Sequence, residues 1–158
     1  MNKVTDALAA VTVGLFASTL FAVAIAVAPS MHVLDATQYT LVKQGQIRVL
    51  QVAMTAISLV YTVAAVLVLV RERHAKGPAF RLTLVALGLV IAALIYSAPT
   101  DIAYNQQILS WNPASPPPDW ASVRDAWDFS NQLRSVPSLI AFVLQVMVCG
   151  CAPAASPK

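Results

Sequence analysis

Four apolar runs constrain this chain more than any other feature: residues 7–28 (ALAAVTVGLFASTLFAVAIAVA), 49–70 (VLQVAMTAISLVYTVAAVLVLV), 80–98 (FRLTLVALGLVIAALIYSA) and 136–152 (VPSLIAFVLQVMVCGCA). Each approaches the ~20 residues that a helix needs to cross ~30 Å of hydrocarbon, the last being the shortest. None alternates with a period of two, and unpaired backbone is prohibitively costly in lipid, so the runs read as helices and not as barrel strands. Of the 158 residues, 58% are hydrophobic and 11% charged, more apolar than a soluble core can use. The expected fold class is all-α: one integral membrane domain, a four-helix bundle. Lys3 before the first run and the small residues that end it resemble a secretory leader. The run is longer than a typical leader core, however, and Pro29 would follow the cleavage site, so it is read as a retained span.

The connection RERHAKGPAFR carries Arg71, Arg73, Lys76 and Arg81 against a single Glu72. Lys and Arg in short loops mark the cytoplasmic side, which places residues 71–79 and both termini there, in a multi-pass protein of the cytoplasmic (inner) membrane. Residues 29–48 and 99–135 then lie outside, where Asp35, Asp101, Asp119, Asp125 and Asp128 accumulate. These outer segments do not read as slack loops. Ile47, Leu50 and Met54 continue an apolar stripe at helical spacing, with Asp35 or Thr37 as a cap, so the second helix is expected from about residue 37 to 70. Asp119 after three prolines is a natural cap for a helix running to about residue 152, bent at Pro137. The third run is expected to continue through a kink at Pro99. At 1.5 Å per residue the two long helices reach roughly 50 Å, which overshoots the hydrocarbon and implies a polar cap over the bundle.

The candidate chemistry lies in that cap. Arg124, Trp127, Asn131 and Arg134 are spaced three, four and three apart, which is one face of a helix. Asp101 and Asn105 are four apart with Tyr104 adjacent, and the segment after the first helix supplies His32, Asp35 and Tyr39. Each has a plainer reading. Tryptophans anchor at membrane boundaries, a boundary Arg snorkels or pairs with Asp125 or Asp128, and a lone His is commonly a solvated loop residue. Those readings do not explain why charge, amide and indole share one stripe. Tyr61 and Gln145, placed within the spans, are expected to hydrogen-bond between helices. Cys149 and Cys151, two apart on a helix, suit apolar packing and not a disulfide or a metal site. With two cysteines and two histidines no zinc site is expected, and the small net charge of +3 gives no reason to expect nucleic acid.

The stretch SAPTDIAYNQQILSWNPASPPPDWASVRDAWDFSNQLRSV resembles the DUF1772, or anthrone oxygenase-like, family of small membrane proteins. The family pattern is matched by Pro99, Asn105, Trp127, Asn131 and Arg134, and more weakly by Gly14, Pro29 and the segment LDATQYTLVKQGQIRVLQ. The resemblance implies a four-helix membrane bundle and an oxygenase that converts an anthrone to an anthraquinone with O₂, without metal or flavin. Such a reaction needs a ring-binding surface, a base and donors for a developing oxyanion. Trp127 and Tyr104 are candidates for stacking, with Arg124 and Asn131 beside them at the substrate. His32 or Asp101 would be the base, and Arg134 with Asn105 or Asn131 the oxyanion donors. Expected partners are the lipid bilayer and a lipophilic aromatic small molecule; a homo-oligomer or a membrane partner subunit stays open. The competing class is a non-catalytic small-molecule binder or an accessory subunit of a membrane complex. A transporter fits less well, since the spans carry almost no ionisable residue near their centres. A bis-His haem site is excluded by topology, His74 being assigned to the side opposite His32.

Overall fold

A computed structural model describes residues 2–151, and among them all regular structure is helical. Helix α1 (Asn2–Ala22) continues through a π-helical turn (Val23–Val27) into the short α2 (Ala28–Met31). Helix α3 spans Ala36–Glu72. Helix α4 (Pro78–Ser97) passes through a second π-helical turn (Ala98–Ile102) into α5 (Ala103–Ser110), and α6 spans Trp120–Cys149. The four continuous rods, Lys3–Met31, Ala36–Glu72, Pro78–Ser110 and Trp120–Cys149, are each long and apolar enough to cross a membrane. Ala152, the end of the fourth apolar run, lies outside the described residues.

Local chemistry sets the helix boundaries. Asp35 caps α3 by accepting from the Gln38 backbone N–H at 2.8 Å, while the Gln38 side chain accepts from the Asp35 N–H at 3.3 Å. This reciprocal box satisfies two donors that the first helical turn leaves unpaired. Asp119 occupies the corresponding position before α6 but makes no side-chain cap bond. Its backbone, at φ −89° and ψ 7°, is turned and not extended, and an N-cap side chain reaches the first-turn amides from an extended backbone. Pro99 has no N–H and crowds the carbonyl four residues back. The helix accommodates it by widening into the π turn and does not end there. Pro137 lies inside α6, which runs through it.

Helix α1 packs on α3 and α6, α4 packs on α6, and α3 and α4 close the ring more loosely. The middle of the bundle is built from Ala9, Val13, Tyr61, Ala64, Ala65, Ala86, Leu87, Val90 and Ala141. Small side chains let backbones approach closely, which is what holds helices together where burial from water supplies no drive. Gly14 shows how close: a Cβ there would meet the Phe142 ring at 2.8 Å. A second, aromatic-rich cluster of Val23, Met31, Tyr39, Ile47, Ile108, Trp111, Val123 and Trp127 joins the helix portions that extend past the apolar runs. Gln44 reinforces it by donating to the carbonyls of Ile108 and Trp111, both at 2.9 Å, so that a residue of α3 caps the C-terminus of α5.

Two expectations fail in the core. Tyr61 and Gln145 are buried, yet the Tyr61 hydroxyl and both polar atoms of the Gln145 amide have no hydrogen-bond partner. Cys149 is an exposed free thiol at the end of α6 and is not packed inside, whereas Cys151, also free, packs as expected against the apolar cluster of Val68, Ala79 and Val148.

Candidate functional site

Where the π turn of α4 faces α6 and α1, the bundle encloses a cavity of about 160 Å³. Its apolar wall includes Phe16, Leu20, Val23, Ile47, Leu50, Met54 and Leu94, and its polar end is formed by Asp101, Asn105, Trp127, Asn131 and Arg134. The cavity thus combines a largely apolar lining with a few convergent polar groups, the usual character of a small-molecule site.

The polar end is assembled by three helices. Asp101, in the π turn, is 1% exposed. Its Oδ2 accepts from the Ser130 hydroxyl at 2.9 Å and stands 3.4 Å from Arg134 Nε. That separation is an ion pair but not an aligned hydrogen bond, so Arg134 Nε and Asp101 Oδ1 are both left without a hydrogen-bond partner. The guanidinium is held by its other nitrogens: Nη1 donates to Ser97 Oγ at 3.1 Å and Nη2 to Asn131 Oδ1 at 3.2 Å. Asn131 in turn donates from Nδ2 to the Leu20 carbonyl at 3.2 Å, which ties the constellation to α1. Trp127 Nε1 donates to Asn105 Oδ1 at 2.8 Å, fixing the indole at the cavity wall. Ser97 and Thr100 donate back to the carbonyls of Ala93 and Tyr96, a bonding pattern that bends helices and supports the widened turn. A π turn carrying a buried ionisable side chain is a recurrent mark of a functional site.

The sequence-derived candidates divide into two groups. Asp101, Asn105, Trp127, Asn131 and Arg134 line this one cavity. His32, Tyr104 and Arg124 do not. His32 Nε2 lies 2.9 Å from Asp128 Oδ2, beside a separate surface depression that also involves Asp125 and Gln132. Asp128, offered by the sequence as a partner for an arginine, is buried against a histidine instead. Tyr104 packs with the aromatic cluster. Arg124 departs from the stripe because its guanidinium binds Asp125 at 2.9 Å and lies 5.1 Å over the Trp120 ring, drawn there by a neighbouring carboxylate and an indole face.

One residue that sequence reasoning missed stands next to the site. Lys43, on the part of α3 that precedes its apolar run 49–70, is 1% exposed, with Nζ 3.0 Å from the centroid of the Trp127 ring. Among the described residues it makes no hydrogen bond and no ion pair. Burial pushes its ammonium down to about 7, opposed by the nearby Asp128 and Asp101 and reinforced by Arg134. The available signal was its position four residues before Ile47 in an apolar stripe, where a solvated lysine would be out of place.

All-helical among its described residues, with four helices of membrane-crossing length around a cavity that has an Asp–Arg pair at one end, the protein is a membrane-type helical bundle. Its lineage is explicit in the sequence. The family profile described as Anthrone oxygenase matches residues 40–144, two thirds of the chain, and the protein belongs to that family. No curated protein and no solved structure matches it.

Proposed function

We propose that the cavity is the active site of a membrane-embedded oxidoreductase, a cofactor-independent oxygenase acting on a lipophilic anthrone- or quinone-like aromatic. The observation that carries this reading is the pair of unmatched polar atoms at the cavity's end: a buried carboxylate oxygen, Asp101 Oδ1, and a guanidinium N–H, Arg134 Nε. Buried polar atoms without partners are costly, and a ligand offering a donor to one and an acceptor to the other removes that cost. Family membership points to the same class of chemistry.

In this reading the aromatic ring system rests against Trp127 and the apolar wall. Asp101 Oδ1 takes a proton from the ring methylene, and the electron pair passes through the ring onto the carbonyl oxygen. Arg134 Nε and the Asn105 amide N–H stabilise that oxyanion. The carbon then bonds to O₂, and the hydroperoxide so formed receives its proton from Asp101. Loss of the second methylene hydrogen with cleavage of the O–O bond gives a carbonyl and water, so that CH₂ + O₂ becomes C=O + H₂O. The low-polarity wall strengthens each of these electrostatic interactions. His32 and Tyr104, outside the cavity, have no direct part. Lys43 acts through Trp127, as a charge behind the ring-binding face.

The basic loop Arg71–Arg81 supports an orientation with that loop and both termini in the cytoplasm of an inner-membrane protein. Residues 29–48 and 99–135 would then form an outer polar cap around the site.

The purified full-length protein, given anthrone under O₂, is expected to consume one O₂ per quinone formed. Asp101→Asn and Arg134→Ala should each lower turnover by about 10²- to 10³-fold while helical content by circular dichroism is retained. Undiminished turnover in Asp101→Asn would remove the base. Binding without turnover in the wild type would instead favour the non-catalytic binder or accessory-subunit reading.

A further inference from the structure

The cavity has a side opening, and its position decides where the ligand comes from. Among the residues that line it, only Thr55 on α3 and Ile102 on the π turn of α4 are exposed. The mouth therefore lies between α3 and α4, the pair of adjacent helices that pack most loosely. The end of the cavity beyond Asn105 and Trp127 is shut by the buried cluster of Tyr39, Ile108, Trp111 and Val123.

The surface around the mouth is hydrocarbon-like. Val52 is 72% exposed, Leu59 61%, Ile95 69% and Ile102 44%. Thr55, the exposed polar residue at the rim itself, donates its hydroxyl to the Gln51 carbonyl at 2.8 Å, which satisfies its one donor within the helix. Thr55 also lies six residues inside the apolar run 49–70, about 9 Å along the helix axis. The α3 side of a mouth built this way meets acyl chains, and Ile102, just past the end of the run 80–98, keeps the opposite rim apolar where the outer cap begins. The volume points the same way: about 160 Å³ resembles the ~150 Å³ of a cavity that accepts a single benzene ring. A fused tricyclic aromatic fills the cavity with one ring and must extend through the opening with the rest.

We infer that the site is loaded sideways from the bilayer: a membrane-dissolved, planar aromatic enters between α3 and α4, polar edge first toward Asp101 and Arg134, and leaves its apolar end in contact with lipid. This inference rests on the reading of the cavity as the ligand site. It assigns Thr55 and Ile102 to the portal and limits the substrate class to amphiphilic fused-ring aromatics that carry their polar groups at one end.

The test uses the full chain in liposomes, with monohydroxylated anthraquinone as the probe and quenching of tryptophan fluorescence as the readout. The probe is delivered at fixed mole fraction in lipid with varied aqueous volume, and then the reverse. The association rate should follow the mole fraction in the membrane. Thr55→Phe combined with Ile102→Phe should slow association and dissociation together by about tenfold, with equilibrium occupancy changed by no more than about twofold. If the paired variant fails to fold, Ile102→Phe alone, at an exposed position, gives the same reading with a smaller effect. An association rate that tracks the aqueous concentration, or that is indifferent to the rim variants, overturns lateral loading. Absence of any saturable quenching in the wild type overturns instead the cavity reading beneath it.

Discussion

Arg134→Met tests whether Asp101 and Arg134 act as one electrostatic unit, and its size can be worked from the geometry. At 3.4 Å and an effective dielectric constant of about 20, the attraction is about 5 kcal/mol. Part of this is offset by the desolvation of both charges, whose side chains are 1% and 16% exposed. Removing the arginine leaves Asp101 with the Ser130 hydroxyl as a short hydrogen-bond donor and an uncompensated buried carboxylate, a change that typically costs about 3–5 kcal/mol. The Ser97 and Asn131 contacts are lost too, so the upper half of that range is expected. Adding Asp101→Asn removes the buried charge, and the double variant should recover about 2 kcal/mol or more relative to Arg134→Met alone. Equilibrium unfolding in mixed micelles, followed by circular dichroism on the four members of the cycle, gives the coupling directly. Strictly additive losses would refute the coupling and, with it, the idea that the cavity's end is a charge pair held in an apolar wall.

Two other outcomes follow from buried groups that lack hydrogen-bond partners. Lys43 has a folded-state pKa of about 7, below the 10.5 of an unperturbed lysine, so above pH 7 the unfolded chain holds more protons at this site than the folded one. Stability should therefore rise as the pH is raised from 7 toward the alkaline range, and Lys43→Met should flatten that rise when unfolding midpoints are compared across pH. Gln145 is fully buried with both amide atoms unpaired, and Gln145→Met, of similar length, should raise stability by about 1–3 kcal/mol in the same unfolding assay.

The legible part of the structure was the part set by short-range rules. Apolar run length gave the four helices, Asp35, one of the two caps on offer beside Thr37, marked the start of α3, and proline chemistry placed the disturbance at Pro99. The 3,4,3 spacing also brought Trp127, Asn131 and Arg134 to one cavity, because a helix carries such residues on one face whatever packs against it. Arg124 satisfies the same spacing and still turns away, since a long side chain chooses between neighbours, and Asp125 with the Trp120 ring outbid the cavity. Spacing fixes where a Cα points and leaves the guanidinium free over several ångströms. Gln44 and the π turn at Val23–Val27 were invisible for a different reason, and the place of Lys43 in an apolar stripe did not name its partner. Their roles arise from contacts between distant segments: Lys43 with Trp127, and Gln44 with the end of α5. The unpaired atoms of Tyr61 and Gln145 belong to the same category, because a polar residue in a span announces the need for a partner and not its presence.

The arrangement at Asp101 joins these strands into one physical argument. A carboxylate buried to 1% exposure is tolerable where a cation and a hydroxyl stand beside it, and the widened turn at Pro99 is what carries that carboxylate into the bundle. The pairing nevertheless stops short: Ser97 and Asn131 hold the two Nη atoms of Arg134 and turn its Nε toward the carboxylate at 3.4 Å without completing a hydrogen bond. A bidentate pair would have been more stable and would have left both groups saturated. The partial pairing keeps a strong acceptor and a strong donor available at the polar end of a cavity whose remaining wall is mostly apolar, with Thr19, Gln46, Gln51, Thr55 and Ser58 as its uncharged polar members. Replacing Ser97 by Ala should therefore let the guanidinium swing into fuller contact with Asp101. The resulting variant should be no less stable in the micelle unfolding assay, while its affinity for monohydroxylated anthraquinone falls by about tenfold, the worth of one hydrogen bond to a charged group. Tighter binding in Ser97→Ala would mean that the open geometry of the pair is incidental to the site.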